Sequence, residues 1–202
     1  MSLESRPWSH TPQLQAARLR VIAELLLETL YDTELELCGD LDDNYVRGTA
    51  TFGRQRNAII RMCQESRHNW MKLTHAGMDV TFEIEGIPCR FFVDDPVNPR
   101  KPGFYRRNDA DRLLFEVEAG KPELFRFVVV KPETVDEEAD VHFLGYDANH
   151  ELVFLWKYSQ STPALVSVDN TRVDAVQLPP AKATIPRVQP EDRAAGDDRP
   201  KE

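Results

Sequence analysis

This chain of 202 residues reads as an α+β domain: two N-terminal helices packed on a mostly antiparallel sheet of five or six strands, with a disordered tail after it. Three observations carry that reading. Apolar residues recur at helical spacing through the first third of the chain. The period changes to two at Asp79, and the strand-like runs that follow are joined by turn signals rather than by helical patterns.

The first helix runs from a Thr11 cap, with Pro12 at its first position, to about Leu30. Leu14, Ala17, Val21, Ile22, Leu25 and Thr29 form its stripe, and Arg18, Arg20, Glu24 and Glu28 lie mostly off it. The segment "CGDLDDNYVRGTATFG", residues 38–53, holds three glycines and three aspartates and reads as a loop. A second helix is expected from about Arg54 to Leu73, with a break near Ser66. Ile59, Met62, Cys63, Trp70 and Leu73 are its buried stripe. Arg54, Arg61, Glu65, His68 and Lys72 form a second stripe, whose plain reading is a solvent face.

"VTFEIEGIPCRFFV" then folds as a hairpin turning at Glu85-Gly86. That turn sets Ile84 opposite Ile87, Phe82 opposite Cys89 and Val80 opposite Phe91 on one face, with Thr81, Glu83, Arg90 and Phe92 on the other. Strands over "LLFEVE" (113–118) and "LFRFVVVK" (124–131) follow, and "PETVDEEAD" is an acidic loop. A second hairpin, "VHFLGYDANHELVFLWKY", turns at Ala148-Asn149. Val141, Phe143, Leu152, Phe154 and Trp156 share one of its faces, and His142, Leu144, Val153 and Leu155 the other. Both faces are largely apolar, so the sheet is expected to be covered on both sides, by the helices on one. After Pro163, "ALVSV" adds one short extended piece, and the single domain is expected to span 1–177. Residues 178–202 are rich in proline and charge and poor in apolar side chains, which predicts the disordered tail.

Composition narrows the function classes. An apolar fraction of 41% with 29% charged residues is that of a soluble globular protein. No apolar run is long enough to span a membrane, and no signal peptide is recognisable. Cys38, Cys63 and Cys89 are an odd number without paired spacing, which predicts reduced thiols and a cytoplasmic location. The net charge of −9 disfavours general affinity for nucleic acid. It is unevenly spread: residues 1–43 sum to −6, residues 44–113 to +4 and residues 114–202 to −7.

The chemistry-bearing residues form no motif. A metal nuclease needs acids and a lysine converging on Mg²⁺, an acid standing two residues before the lysine. Val129 stands two before Lys131 and Leu155 two before Lys157. Asp94 and Asp95 at a strand end, with Glu83 and Glu85 on the neighbouring strand, are the acids such an enzyme would use. Cys63, His68 and His75 supply three zinc ligands without a fourth or a compact spacing. There is no Gly-x-Ser-x-Gly, and the nine glycines make no phosphate-cradling loop. No cofactor and no metal are expected.

What stands out is "NPRKPGFYRRND", residues 98–109, a basic stretch in an acidic chain. Arg100, Lys101, Arg106 and Arg107 surround Phe104 and Tyr105, and cations with exposed rings can grip a single strand by its phosphates and bases. Arg54 and Arg61 of the second helix would extend such a surface. The competing reading tucks both rings into the sheet and pairs the arginines with Asp94, Asp95, Asp109 and Asp111. The chain is therefore expected to be a non-catalytic binding or regulatory protein acting through a protein partner. Nucleic-acid binding through the basic middle segment and a metal-dependent nuclease are the alternatives.

Overall fold

The computed structural model describes residues 6–106, 121–132 and 137–158, all within the compact unit Met1–Thr162. Its elements are helices α1 (Pro7–His10), α2 (Ala16–Glu36) and α3 (Asn44–Gln64), then strands β1 (Met71–His75), β2 (Thr81–Ile84), β3 (Ile87–Val93), β4 (Leu124–Val130), β5 (Asp140–Tyr146) and β6 (Leu152–Tyr158). The two long helices pack against one six-stranded sheet whose strand order follows the chain. Every neighbouring pair is antiparallel except β3 and β4, which run parallel. The expected strand over 113–118, the "ALVSV" piece, the domain end at 177 and the tail 178–202 lie outside the described residues.

The helical region differs from the sequence reading in three ways. Thr11 ends the short α1 instead of capping a long helix, and α2 begins at Ala16 and runs on to Glu36. Its buried side chains are Leu19, Ile22, Ala23, Leu26, Leu27, Leu30 and Thr33, about one residue round from the expected stripe. Successive apolar residues at 25–27 allow either facing. Arg20, Glu28 and Asp32 decide it, because charged groups stay in water and the opposite side turns inward.

The expected loop at 38–53 is largely helical. Asp43 caps α3 by accepting from the Val46 amide at 2.8 Å. Gly48 and Gly53 both lie inside the helix, where each costs up to about 1 kcal/mol relative to alanine without ending it. The pattern hid this helix because two of its three buried positions are polar, Thr51 and Gln55 beside Ile59. Thr51 donates to the Arg47 carbonyl at 2.7 Å, and Gln55 Nε2 to the Leu26 carbonyl of α2 at 2.9 Å. One bond inside α3 and one across to α2 thus offset part of the cost of burying these side chains, while the buried Gln55 Oε1 has no partner among the described residues.

The second helix also stops at Gln64 rather than Leu73. Ser66 takes a positive φ of 51°, the chain turns, and Met71–His75 pairs as β1 with β2. Trp70 and Leu73 still pack on the main core, from the sheet edge instead of from a helix. The charged stripe is consequently split: Arg54, Arg61 lie on α3, Glu65 caps it, His68 sits in the connection and Lys72 in β1.

The first hairpin has the expected register, Phe82 opposite Cys89 and Ile84 opposite Ile87. Glu85 and Gly86 have φ of 47° and 82°, the two positive values a type I′ turn requires. Arg18 of α2 holds Glu85 by an ion pair at 2.6 Å. In the second hairpin the turn is longer than expected. Asp147 Oδ1 accepts from the Asn149 and Glu151 amides, both at 2.9 Å, and His150 has φ of 65°. A register shift at Gly145/Tyr146 then sets Leu152 opposite Tyr146 and Phe154 opposite Gly145. Leu152 and Val153 therefore exchange the faces expected of them, while Phe154 and Trp156 keep theirs.

Both faces of the sheet are covered. Phe125, Phe127 and Val129 of β4 face the helices, with Phe82, Phe91, Val141 and Phe143 around them. Leu124 and Val128 face the other way, with Leu144, Tyr146 and Phe104. Each fully buried Leu, Ile or Phe contributes about 1.5–3 kcal/mol by leaving water.

Candidate functional site

The basic loop lies on the sheet face away from the helices. Phe104 is 1% exposed and packs on Phe92 and Tyr146, with ring centroids 5.0 and 5.8 Å away. It is a core residue, and its ring cannot stack on a base while the fold is intact. Tyr105 is half-buried, edge-on to Tyr146 at 5.3 Å and stacked on His150 at 4.9 Å. Burial and the contact with Tyr105 push the Tyr146 hydroxyl well above the ordinary tyrosine range.

Two buried arginines organise this loop. Arg90 and Arg126 are register partners on the parallel strands β3 and β4. Arg126, fully buried, donates to the carbonyls of Phe104 (3.0 Å), Phe125 (3.0 Å) and Arg106 (3.4 Å). Arg90 donates to the Arg106 carbonyl at 3.1 Å, and both guanidinium groups lie 5.2–6.0 Å from the Phe92 ring. A charge inside the strand run "LFRFVVV" was the sequence signal for this arrangement, since an arginine there must find acceptors.

Among the described residues, Asp94 and Asp95 accept from backbone amides of the loop. Asp94 Oδ2 accepts from the amides of Arg100 (2.9 Å) and Lys101 (2.7 Å), and its Oδ1 from Asp95 N at 3.0 Å. Asp95 Oδ1 accepts from Val97 N at 2.8 Å. Arg100, Lys101 and Arg106 are exposed. Arg107, Asp109 and Asp111 lie outside the described residues.

Arg54 and Arg61 belong to the opposite face. α3 packs through Ile59 into the core on the helix side, whereas Phe104 packs into the one beyond the sheet. Arg54 pairs with Glu36 of α2 at 2.6 Å and Arg61 with Glu65 at 2.7 Å. The structure does not join the two basic segments into one surface.

The remaining titratable candidates are dispersed. Glu83 accepts from the Thr74 hydroxyl at 3.2 Å, and His75 meets Asp79 at 2.9 Å. Burial raises the Cys63 thiol to about 11, and His68 packs on Trp70 at 4.9 Å. No three His, Cys, Asp or Glu side chains among the described residues are grouped to hold a metal ion. No helix among the described residues is long and apolar enough to cross a membrane.

One surface feature lies in and beside the segment expected to be a loop. Among the described residues six large apolar side chains are exposed, and four of them fall within residues 35–46. These are Leu35 (77% exposed), Leu41 (92%), Tyr45 (78%) and Val46 (38%). They come from the last turn of α2, the connection and the first turn of α3, and so sit at one end of the helical hairpin. Comparison with protein-family models, with curated proteins and with solved structures finds no match to this chain.

Proposed function

We propose that the chain is a non-catalytic binding or regulatory protein of the cytosol that takes a protein partner at the exposed end of the α2–α3 hairpin. The concentration of Leu35, Leu41, Tyr45 and Val46 at that end carries the reading. Single exposed apolar residues need no explanation, but a group of them is a feature of interaction surfaces, and tyrosine is a preferred anchor there. The three free thiols suit a reducing compartment.

The alternatives have less support. Arg100, Lys101 and Arg106 are exposed and favour phosphate contact, but the burial of Phe104 and the separate face of Arg54 and Arg61 weigh against a stacking groove. Of the acids a nuclease would use, Asp94 and Asp95 are committed to loop amides and Glu85 to Arg18.

Photo-crosslinking tests the reading. A benzophenone side chain at position 41 should give one discrete protein adduct in the source cell, and one at Met78 should not. The captured protein, purified, should bind the parent chain and lose about tenfold or more in affinity to Tyr45→Ser. Indistinguishable adducts from 41 and 78, or binding indifferent to Tyr45→Ser, would overturn it.

A further inference from the structure

We infer that the partner segment received at this end of the hairpin is a cationic amphipathic one, with apolar side chains flanked by lysine or arginine. The inference rests on the docking reading above and adds the chemistry of the occupant. Between Tyr31 and Val46 the chain carries Asp32, Glu34, Glu36, Asp40, Asp42 and Asp43, and its first basic residue after that is Arg47.

Several of these acids are engaged within the fold. Glu36 pairs with Arg54, Glu34 lies 3.7 Å from Lys131, Asp42 accepts from Gly39 N, and Asp43 caps α3. The carboxylates of Asp32 and Asp40 are exposed and hold no hydrogen bond or ion pair among the described residues. The exposed apolar side chains therefore sit in a field of negative sign that the fold neutralises only in part. A partner with acidic flanks would be repelled, and one with basic flanks steered in. The same field disfavours an anionic lipid surface, which draws basic side chains around the apolar ones it takes up.

Selection from a random 12-residue peptide library on the full chain tests this. Enriched peptides should combine net positive charge with Leu, Ile, Phe or Trp. Their affinity should fall about tenfold or more in L41S/Y45S. It should fall several-fold in D32N/D40N and with added salt. All four positions are exposed, so both variants should keep the parent melting temperature.

Peptides that lose affinity in L41S/Y45S but are neutral or acidic would overturn the charge inference and leave the docking reading standing. Peptides that bind L41S/Y45S as well as the parent, or no enrichment at all, would overturn both. Vesicles with anionic lipid should not bind the chain, and sedimentation should show no self-association that L41S/Y45S abolishes. Either result in the opposite sense would reassign the surface, to a membrane or to a second copy, and overturn the inference.

Discussion

Replacing Arg126 by Met tests whether a buried cation holds the basic loop on the sheet. Methionine keeps much of the unbranched stem and removes the charge and every donor. The Phe104 carbonyl then loses its 3.0 Å donor, while the Arg106 carbonyl keeps Arg90 at 3.1 Å. The Phe125 carbonyl, on a central strand, loses a side-chain donor at 3.0 Å. A buried acceptor stripped of its partner costs about 1–3 kcal/mol, so the one full and two partial losses among the described residues come to about 2–4 kcal/mol. The cation no longer needs desolvating, which offsets part of this. At about 2–4 °C per kcal/mol for a domain of this size, the melting temperature should fall by roughly 5–15 °C. Hydrogen exchange supplies the local readout. The Phe104 and Arg106 amides, bonded to the Lys101 and Gly103 carbonyls, should exchange faster by more than the global loss explains. An unchanged melting temperature, or a fall without local loosening at 104–106, would refute the reasoning.

Two further outcomes follow from the sheet. Phe82→Ala, at a fully buried site facing Cys89, should cost about 3–5 kcal/mol by denaturant unfolding, and Glu83→Ala less than about 0.5 kcal/mol; equal effects would mean the hairpin register is wrong. Burial lowers the pKa of His142, against the opposing pull of Asp140 and the lesser influences of Lys157 and Asp95, so the folded state prefers the neutral ring. The stability this contributes is present above the unfolded value of about 6.5 and is lost as pH falls through the lower folded one. His142→Gln should therefore lose less melting temperature than the parent between pH 7.5 and 5.5, and equal losses would exclude His142 as a source of acid sensitivity.

The parts of this fold legible from residue order are those specified by near neighbours. The Glu85-Gly86 turn and the alternation around it place Phe82 opposite Cys89 with no information from elsewhere in the chain. Apolar residues on both faces of "VHFLGYDANHELVFLWKY" likewise call for cover on both sides, and the helices and the Phe104 loop supply it. A one-residue feature such as the bulge beside Gly145 escapes that logic. There a side chain would collide with the Phe154 ring, a constraint that arises only once the two strands are paired.

Contacts between distant segments determined the rest. α3 exists as a helix because Thr51 and Gln55 find partners inside it and on α2, which no count of apolar spacing registers. The parallel pairing of β3 with β4 brings Arg90 beside Arg126, thirty-six positions apart, and turns two charges into the anchor of a loop. The same sheet puts the basic loop and the arginines of α3 on opposite sides, so residues that look like one cationic group in the chain are two in space. The apolar end of the α2–α3 hairpin forms for the converse reason, since Leu35 and Tyr45 come to the same end of the hairpin only when both helices are complete. Local backbone preference acts over a few residues, whereas burial and charge are assigned by whichever distant segments close over them.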